Sequence, residues 1–190
     1  MGILRQPDPV KLFAAITFST DTVKNSAIEA LTHEYGDIDY RSEIFDFTFT
    51  DYYVEEMGED LRKQFVSFER FIKPEMLIDI KLFTNNLEAK YAENGRRRIN
   101  IDPGYINAAK VVLATTKDFS HRVYLGKCIY GDVHLRFIEG KLTCFDWTYP
   151  DYSQDLAINF FTDLKISYKK SLKSLQHHEI TKGFNSNHVD

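Results

Sequence analysis

The pattern of apolar residues at the start of the chain predicts a buried strand followed by a helix. Residues 10–18 are almost all apolar and follow two prolines, and the length of this run favours a strand over a helix. Residues 19–21 then offer N-caps, apolar residues recur at helical spacing over 23–35, and Gly36 stands where a helix C-terminus often has a glycine.

Alternation of apolar and polar residues predicts the next two strands. In segment 44–49, three phenylalanines fall on one side and the polar residues on the other. Segment 65–70 alternates in the same way, so residues 52–60 are predicted to connect the two strands. Pro74 opens a segment with helical spacing that Gly95 closes, which predicts a second helix.

A fourth strand is predicted at 97–102, and the resulting order is strand, helix, strand, strand, helix, strand. This order is that of the ferredoxin-like split βαβ arrangement, so we predict an α+β fold with a ferredoxin-like core. Apolar patterns over 110–116, 122–125, 130–138 and 142–145 predict additional antiparallel strands, with a tight turn at 139–140.

An amphipathic helix is predicted from near Ser153, because apolar residues recur at spacings of three and four as far as Leu175. From residue 176 the chain is polar and has little apolar surface to bury. We therefore predict one α+β domain over residues 1–175 and a mobile polar tail over 176–190. The adjacent His177 and His178 in this tail are not read as a metal site.

Composition narrows the class of protein. The 190 residues are 43% apolar and 14% aromatic, which is sufficient for one domain with a sizeable core. The net charge of −4 argues against a nucleic-acid binder. Two cysteines in this length indicate a reducing compartment, and the sequence shows neither a signal peptide nor a membrane-length apolar run. We predict a soluble cytoplasmic protein with no membrane partner.

Charged and hydroxyl side chains concentrate between residues 96 and 122, beside two predicted strands. On the first strand, Arg98, Asn100 and Asp102 share one face if the alternation holds. Arginine suits phosphate or carboxylate, whereas Asn and Asp orient hydroxyl groups. The following residues, Asp-Pro-Gly-Tyr105, predict a sharp type II turn.

After the next predicted strand, Lys117, His121 and Arg122 surround Thr115 and Thr116. Two cations, an imidazole and two hydroxyls together can enclose an anion, and His121 is the candidate general acid or base. For each of these charged residues, pairing with a surface neighbour is an equally acceptable interpretation.

A second, weaker group comprises Asp51 and Glu56, which can act as a carboxylate pair or serve only to cap a helical turn. His134 beside Asp132 is interpreted as a solvated pair rather than a ligand set. The sequence has no phosphate-binding loop ending in Gly-Lys-Ser or Gly-Lys-Thr, no nucleophile elbow and no zinc-protease motif. We predict no metal site formed by protein side chains.

Several segments together resemble an uncharacterised prokaryotic family, the domain of unknown function 4416, over residues 9–152. The resemblance implies an uncharacterised protein, some relatives carrying a GTP-binding label, and it adds Glu69, Lys81 and Asn85 as candidates. The segments are Lys11-Leu-Phe, Phe49-Thr-Asp-Tyr-Tyr53 with Glu56-Met-Gly58, Ser67-Phe-Glu-Arg70, Lys81-Leu-Phe-Thr-Asn85, Arg97-Arg-Ile-Asn-Ile-Asp-Pro-Gly-Tyr105, Leu113-Ala-Thr-Thr-Lys-Asp118, His121-Arg122 and Trp147-Thr-Tyr-Pro-Asp-Tyr152.

Two functional hypotheses follow. In the first, the protein binds a phosphorylated small molecule or a nucleotide through Arg98, Lys117 and Arg122, with Mg²⁺ at the ligand phosphate as the one cofactor considered. In the second, it is a non-catalytic interaction module that presents the aromatic residues of segments 52–53 and 147–152. The sequence leaves open whether the protein is an enzyme and whether it forms oligomers.

Overall fold

The computed structural model describes residues 2–185, without the side chains of Asp51 and of residues 176–185. The fold is mixed α/β, with nine strands and five α-helices in the described part. In chain order these are β1 Val10–Phe18, α1 Asp21–Tyr35, β2 Ile38–Arg41, β3 Phe45–Asp46, α2 Val54–Met57, β4 Arg62–Ile72, α3 Leu77–Lys90, β5 Ile99–Ile106, β6 Lys110–Thr115, β7 Arg122–Gly126, β8 Ile129–Ile138, β9 Lys141–Cys144, α4 Pro150–Ser153 and α5 Asp155–Asn185.

All nine strands belong to one antiparallel sheet in the order β2-β4-β1-β5-β6-β8-β7. The short strand β3 also pairs with β4, and β9 pairs with β8. Helix α1 connects β1 to β2, and α3 connects β4 to β5. These connections place β1 between β4 and β5 at the centre of the first half of the sheet.

Helices cover both faces of the sheet around β1. On one face, Leu12 and Ile16 of β1 pack with Leu31 of α1 and Ile80 of α3. On the other face, Phe13 packs edge-on against Phe161 of α5, with ring centroids 4.9 Å apart. Because neither face of β1 meets solvent, this strand is a continuous apolar run rather than an alternating one.

The first strand and helix match their prediction closely. Strand β1 has the predicted bounds, and the Thr20 hydroxyl caps α1 by accepting the Val23 N–H at 3.4 Å. Gly36 follows the helix with a φ of +88°, which favours glycine. The second predicted helix is a short 3₁₀ turn at Pro74–Met76 followed by α3, which is unbroken as far as Lys90.

The strand predicted at 44–49 is wrong in extent. The strand that pairs along β4 is β2, and within 44–49 only Phe45 and Asp46 pair with β4. Phe47 and Phe49 instead belong to a small apolar cluster with Met57 of α2 and Leu61. The alternation of phenylalanines thus reflects packing on the connection before β4, which begins earlier in the chain than the predicted residues 52–60.

The turn predicted at 102–105 is also wrong, because β5 continues through these residues as far as Ile106. Gly104 has no positive φ and is required for a different reason. A Cβ atom there would lie 2.5 Å from the Phe13 ring and 2.5 Å from the Val112 carbonyl oxygen. Close approach of neighbouring strands, not turn geometry, therefore explains this glycine.

Strands β6 to β9 lie close to their predicted positions. The tight turn at 139–140 is confirmed, since Ile138 pairs with Lys141 and both turn residues have positive φ, 49° for Glu139 and 84° for Gly140. Within the described residues, no helix is long and apolar enough to cross a membrane.

Helix α5 extends past the predicted end at Leu175 to Asn185. The predicted tail therefore begins within a helical segment, whereas residues 186–190 and the side chains of His177 and His178 lie outside the described part. The mobility of the tail and the single-domain boundary at residue 175 stay predictions.

Candidate functional site

The sheet opens between β5 and β6. These strands pair only from Gly104 to Ile106 on β5 and from Val111 to Leu113 on β6. Strand β5 pairs with β1 from Ile99 onwards, and β6 pairs with β8 as far as Thr115. The first half of β5 and the end of β6 therefore face each other without a ladder of backbone hydrogen bonds.

A cavity of about 130 Å³ lies at this opening, and we call it the β5–β6 cleft. Its walls come from α3, β5, β6, β8, the Tyr52–Tyr53 turn and the segment before α4. Most of its lining is polar, unlike the core on either side. The lining residues are Tyr52, Tyr53, Lys81, Asn85, Glu88, Arg97, Asn100, Asp102, Leu113, Ala114, Thr115, Thr116, Lys117, Asp132 and Tyr149.

Arg97 organises one end of the cleft, immediately before β5. Its Nε and Nη2 atoms donate to the two carboxylate oxygens of Glu56, both at 2.6 Å. Its Nη1 atom donates to Glu88 Oε2 and to Asn100 Oδ1, both at 3.2 Å. One guanidinium thus joins α2, α3 and β5, and the pKa of Arg97 is raised, chiefly by its bond to Glu56.

Asp102 is the central carboxylate of the cleft. It accepts a hydrogen bond from the Asn100 amide at 2.7 Å and one from Lys81 Nζ at 3.3 Å. Burial by itself raises the pKa of Asp102, but Lys81, Lys63 and the Asn100 amide outweigh burial and hold the pKa below its ordinary value. Asp102 is therefore an ionised, oriented acceptor.

Lys81 and Glu88 lie behind Asp102 on α3, and both are almost fully buried. Lys81 Nζ also donates to the Ile101 carbonyl oxygen at 3.0 Å, and Glu88 Oε1 accepts the Ile101 N–H at 2.8 Å. These bonds satisfy backbone groups of β5 that β6 leaves unpaired. Burial raises the pKa of Glu88 even though two cations lie nearby.

Lys117 stands at the mouth of the cleft, just after β6. Its Nζ atom donates to the Tyr52 hydroxyl at 2.7 Å and lies 4.0 Å from the centre of that ring. Within the described part of the chain, Lys117 forms no ion pair with a carboxylate. The exposed Thr116 and the half-buried Thr115 complete this side of the mouth.

The opposite wall is organised by Asp132 of β8, which is 1% exposed. Its Oδ2 atom lies 3.3 Å from His121 Nε2 and accepts from Arg122 Nε at 3.1 Å. Its Oδ1 atom lies 3.4 Å from His134 Nδ1. Burial tends to raise the pKa of Asp132, but the bonds from His134 and Arg122 lower it overall.

The prediction that His134 and Asp132 form a solvated pair is wrong, because His134 is completely buried. Its Nε2 atom accepts the Tyr149 N–H at 2.9 Å, so the ring proton resides on Nδ1 and points to Asp132. Helix α4 and the Tyr149 and Tyr152 rings cover this side of β8, which the alternation along β8 does not reveal.

His121 lies outside the lining of the cleft. Its ring is stacked on Trp147 with centroids 5.0 Å apart, and the tilted Phe119 ring lies 5.4 Å from it. Arg122 donates to the Tyr149 hydroxyl at 2.7 Å and to the Lys117 carbonyl oxygen at 3.0 Å. Both residues therefore reach the cleft through lining residues rather than directly.

The structure brings together in the cleft five of the site residues predicted from local pattern: Asn100, Asp102, Thr115, Thr116 and Lys117. Arg98 points elsewhere, because β5 begins only at Ile99 and strand alternation does not extend to residue 98. It bonds to Ser19 at 3.1 Å and to Glu93. Glu56 lies behind Arg97, and the side chain of Asp51 is outside the described part.

Several lining residues were not identified from local sequence patterns. Arg97 directly precedes Arg98, the arginine that the strand alternation predicts for the site. Lys81 and Asn85 are candidates only through the family resemblance. Glu88, Asp132, Tyr53 and Tyr149 carry no spacing signal, and only the packing of distant segments assigns them to the cleft. Glu69, also named through the resemblance, does not line it.

The described residues contain no group of three or more side chains suited to bind a metal ion. The chemistry of the cleft is that of an oriented carboxylate, an amide, hydroxyls and cations. Of the cations, Lys81 and Arg97 are bound to carboxylates of the protein, whereas Lys117 pairs with no carboxylate among the described side chains.

Comparison with known proteins gives one match. The model of a domain of unknown function, family 4416, matches residues 8–168. No curated protein matches the chain. No solved structure matches it either. The match covers most of the chain and includes every strand and every residue that lines the cleft, so this protein belongs to the domain of unknown function 4416 family.

Proposed function

We propose that the protein binds a small anionic molecule, a phosphorylated metabolite or a nucleotide, in the β5–β6 cleft. The observation that carries this proposal is the opening of the sheet beside Asp102, where polar and charged side chains replace the apolar core. A sheet gains nothing in stability from such an opening, since the polar groups must be desolvated without a strand partner. Ligand binding explains why they are gathered there.

Lys117 is the anion-binding residue in this proposal. Its charge is directed to the mouth of the cleft by Tyr52 and is not neutralised by an ion pair in the described part of the chain. Thr116 offers a hydroxyl donor at the same mouth. An ammonium ion with free N–H donors beside hydroxyls is a suitable receptor for one phosphate or carboxylate group.

Asp102 and Asn100 are proposed to orient the polar remainder of the ligand. Asn100 and Lys81 hold the Asp102 carboxylate in one position and keep it ionised. A fixed carboxylate accepts hydrogen bonds from ligand hydroxyl groups with little loss of conformational entropy. Charge at the mouth and a rigid acceptor inside select a polar anion rather than an apolar ligand.

The segments on which the family resemblance rests support this location. Tyr52, Lys81, Asp102 and Lys117 come from four different segments, and all four line the cleft. A role for His121 as a proton carrier stays a prediction, because its ring reaches the cleft only through Asp132. Roles for Arg98 and Arg122 in binding the anion likewise rest on the sequence alone.

We also propose that strands β1, β2, β4 and β5 with helices α1 and α3 form the ferredoxin-like unit expected from the sequence. The spatial order β2-β4-β1-β5, with a helix after the first and third of these strands in the chain, supports that assignment. Strands β6 to β9 then extend this unit, and the cleft lies at the junction between the two.

A second candidate function is protein binding, and one surface favours it. Phe119, Val123 and Tyr124, on or beside the edge strand β7, are 64%, 65% and 59% exposed. An edge strand with exposed apolar side chains is able to pair with another chain. Static light scattering of wild type and Val123→Lys tests this candidate, since a complex through β7 would be lost in the variant.

The test of the ligand hypothesis is a thermal-shift panel of inorganic phosphate, ribose 5-phosphate and nucleotides, each with and without Mg²⁺. A ligand at a hundred times its Kd stabilises a protein by about 2.7 kcal/mol. We expect a stabilising ligand whose effect is lost in Lys117→Ala and Asp102→Asn.

Lys127→Ala is the matched control, because Lys127 is an exposed lysine that pairs with Asp79 outside the cleft. It should respond to the ligand like wild type. The absence of any stabilising ligand, or an equal response of Lys117→Ala and wild type, would overturn the proposal. The difference between the two Mg²⁺ conditions tests the predicted cofactor.

A further inference from the structure

A second cavity of about 260 Å³, which we call the aromatic chamber, adjoins the β5–β6 cleft. Its walls are Phe47, Phe49, Tyr52, Tyr53, Tyr149 and Pro150. Tyr52, Tyr53, Asp102, Lys117 and Tyr149 line both cavities, so the two share a boundary. A group bound at Lys117 therefore lies beside both cavities.

The floor of the aromatic chamber is a buried ion pair. Lys63 Nζ donates to Asp151 Oδ2 at 2.6 Å, and the two side chains are 4% and 3% exposed. Lys63 lies over the Phe47 and Tyr152 rings at 5.0 and 5.2 Å. This floor joins β4 to α4 beneath the aromatic walls.

This floor has unused hydrogen-bonding capacity. An ammonium group has three N–H donors, and Lys63 gives one to Asp151; within the described part of the chain no other hydrogen bond is formed by Lys63 Nζ or by Asp151 Oδ1. Nearby, the Tyr152 hydroxyl is buried and has no partner in the described part. Buried polar groups are normally satisfied, so a donor and an acceptor at the base of a cavity indicate a polar ligand edge.

We propose that the ligand carries a planar heteroaromatic ring joined to its anionic group, and that the ring binds in the aromatic chamber. This inference rests on the proposed function, because the anionic group is placed at Lys117. Aromatic walls favour a flat ring through stacking and edge-on contacts. The unused donor of Lys63 and acceptor of Asp151 select a ring with a polar edge over a hydrocarbon chain, which would leave both unsatisfied.

Isothermal titration with four probes tests the proposal: inorganic phosphate, ribose 5-phosphate, phenyl phosphate and a nucleoside monophosphate. We expect the nucleoside monophosphate to bind at least tenfold more tightly than ribose 5-phosphate, with phenyl phosphate between them. Equal affinity for probes with and without a ring would overturn this inference and leave the proposed function intact. Binding of none of the four would overturn both.

Variants locate the ring. Phe49→Ala removes one aromatic wall and should weaken nucleoside monophosphate binding about tenfold while leaving ribose 5-phosphate unchanged. Phe49→Leu keeps an apolar side chain of similar bulk and should lose less affinity for the nucleoside monophosphate. This variant keeps the test valid if Phe49→Ala does not fold. Phe119→Ala, which removes an exposed phenylalanine outside both cavities, should bind every probe like wild type. Equal losses in Phe49→Ala for probes with and without a ring would also contradict the proposal.

Discussion

Arg97 and Glu56 form a two-point ion pair, in which Nε meets Oε1 and Nη2 meets Oε2, each at 2.6 Å. The pair joins the short helix α2 to the start of β5 and directs the remaining guanidinium nitrogen to the buried Glu88. The next residue, Arg98, is bound to the exposed Glu93. Two adjacent arginines thus have different environments, so the same substitution at each compares a partly buried ion pair with an exposed one.

We expect Arg97→Met to destabilise the fold by about 3 kcal/mol, since it removes the ion-pair partner of the buried Glu88 carboxylate. Arg98→Met should change the stability by less than about 1 kcal/mol, because its ion pair is exposed to solvent. Urea denaturation of both variants at neutral pH measures the difference. Equal effects of the two substitutions would show that Arg97 is not a structural centre of the cleft.

The stability of Arg97→Met should also depend on pH. Burial raises the pKa of Glu88, so its ionised form is unfavourable above that pKa and the penalty is relieved as the pH falls and the carboxyl is protonated. Without Arg97 this penalty grows. The variant should therefore approach the stability of wild type as the pH falls from 7 to about 5, and an unchanged difference over that range would exclude Glu88 as the cause.

Asp132 should make the protein sensitive to acid. Burial opposes ionisation, but the bonds from His134 and Arg122 lower the pKa of Asp132 below its ordinary 3.8. The stabilisation is therefore complete above the pKa of the unfolded chain and is lost as the pH falls through the lower folded pKa. Asp132→Asn should cost about 3 kcal/mol at pH 7, with a smaller difference from wild type below about pH 4.

Free energies of unfolding measured between pH 3 and 7 check this prediction. Asp146→Asn is the control, because Asp146 is exposed and forms no ion pair in the described part of the chain. Its curve should follow that of wild type. If the free energy of unfolding of Asp132→Asn falls with acid as steeply as that of wild type, another carboxylate governs acid unfolding.

Two strand glycines should differ in their tolerance of alanine. At Gly104 a Cβ atom would come within 2.5 Å of both the Phe13 ring and the Val112 carbonyl oxygen, and the backbone atom cannot move away. At Gly131 the nearest atom is 3.2 Å away on Leu125, a partly exposed side chain that can rotate. Gly104→Ala should cost about 3 kcal/mol and Gly131→Ala less than about 1 kcal/mol.

Thermal unfolding followed by circular dichroism distinguishes the two glycine variants. If Gly104→Ala were as stable as wild type, β5 and β6 would have room to separate further, and the close contact at the base of the cleft would not be essential. If Gly131→Ala were the more damaging substitution, Leu125 would be less free to move than its exposure indicates.

One substitution should stabilise the protein. Glu139 has a φ of 49° in the two-residue turn between β8 and β9, and such turns favour asparagine followed by glycine. Because Gly140 is already present, Glu139→Asn should add about 0.5 kcal/mol. Chemical denaturation measures this gain. Glu59→Asn is the control, since Glu59 is an exposed glutamate outside any turn of this kind, and an equal gain there would point to a change in net charge instead.

Much of the fold follows from local patterns. The apolar run of β1, the cap at Thr20 and the residues of the β8–β9 turn specify their elements directly, because each depends on neighbours within a few residues. At 44–49 the local pattern is misleading, because the phenylalanines alternate as on a strand but pack on a connection. Local sequence does not distinguish burial by a strand partner from burial by a helix beneath a loop.

The sequence by itself determined that cations, hydroxyls and an Asn-x-Asp pair gather between residues 96 and 122, and that this region is where ligand chemistry is expected. Only the tertiary structure decided that β5 and β6 separate there, that Arg97 rather than Arg98 faces the opening, and that Lys81, Asp132 and Tyr149 join it. The reason is physical. Periodicity along one strand specifies which side chains share a face, whereas a cleft depends on where distant strands stop pairing and on which helices cover them.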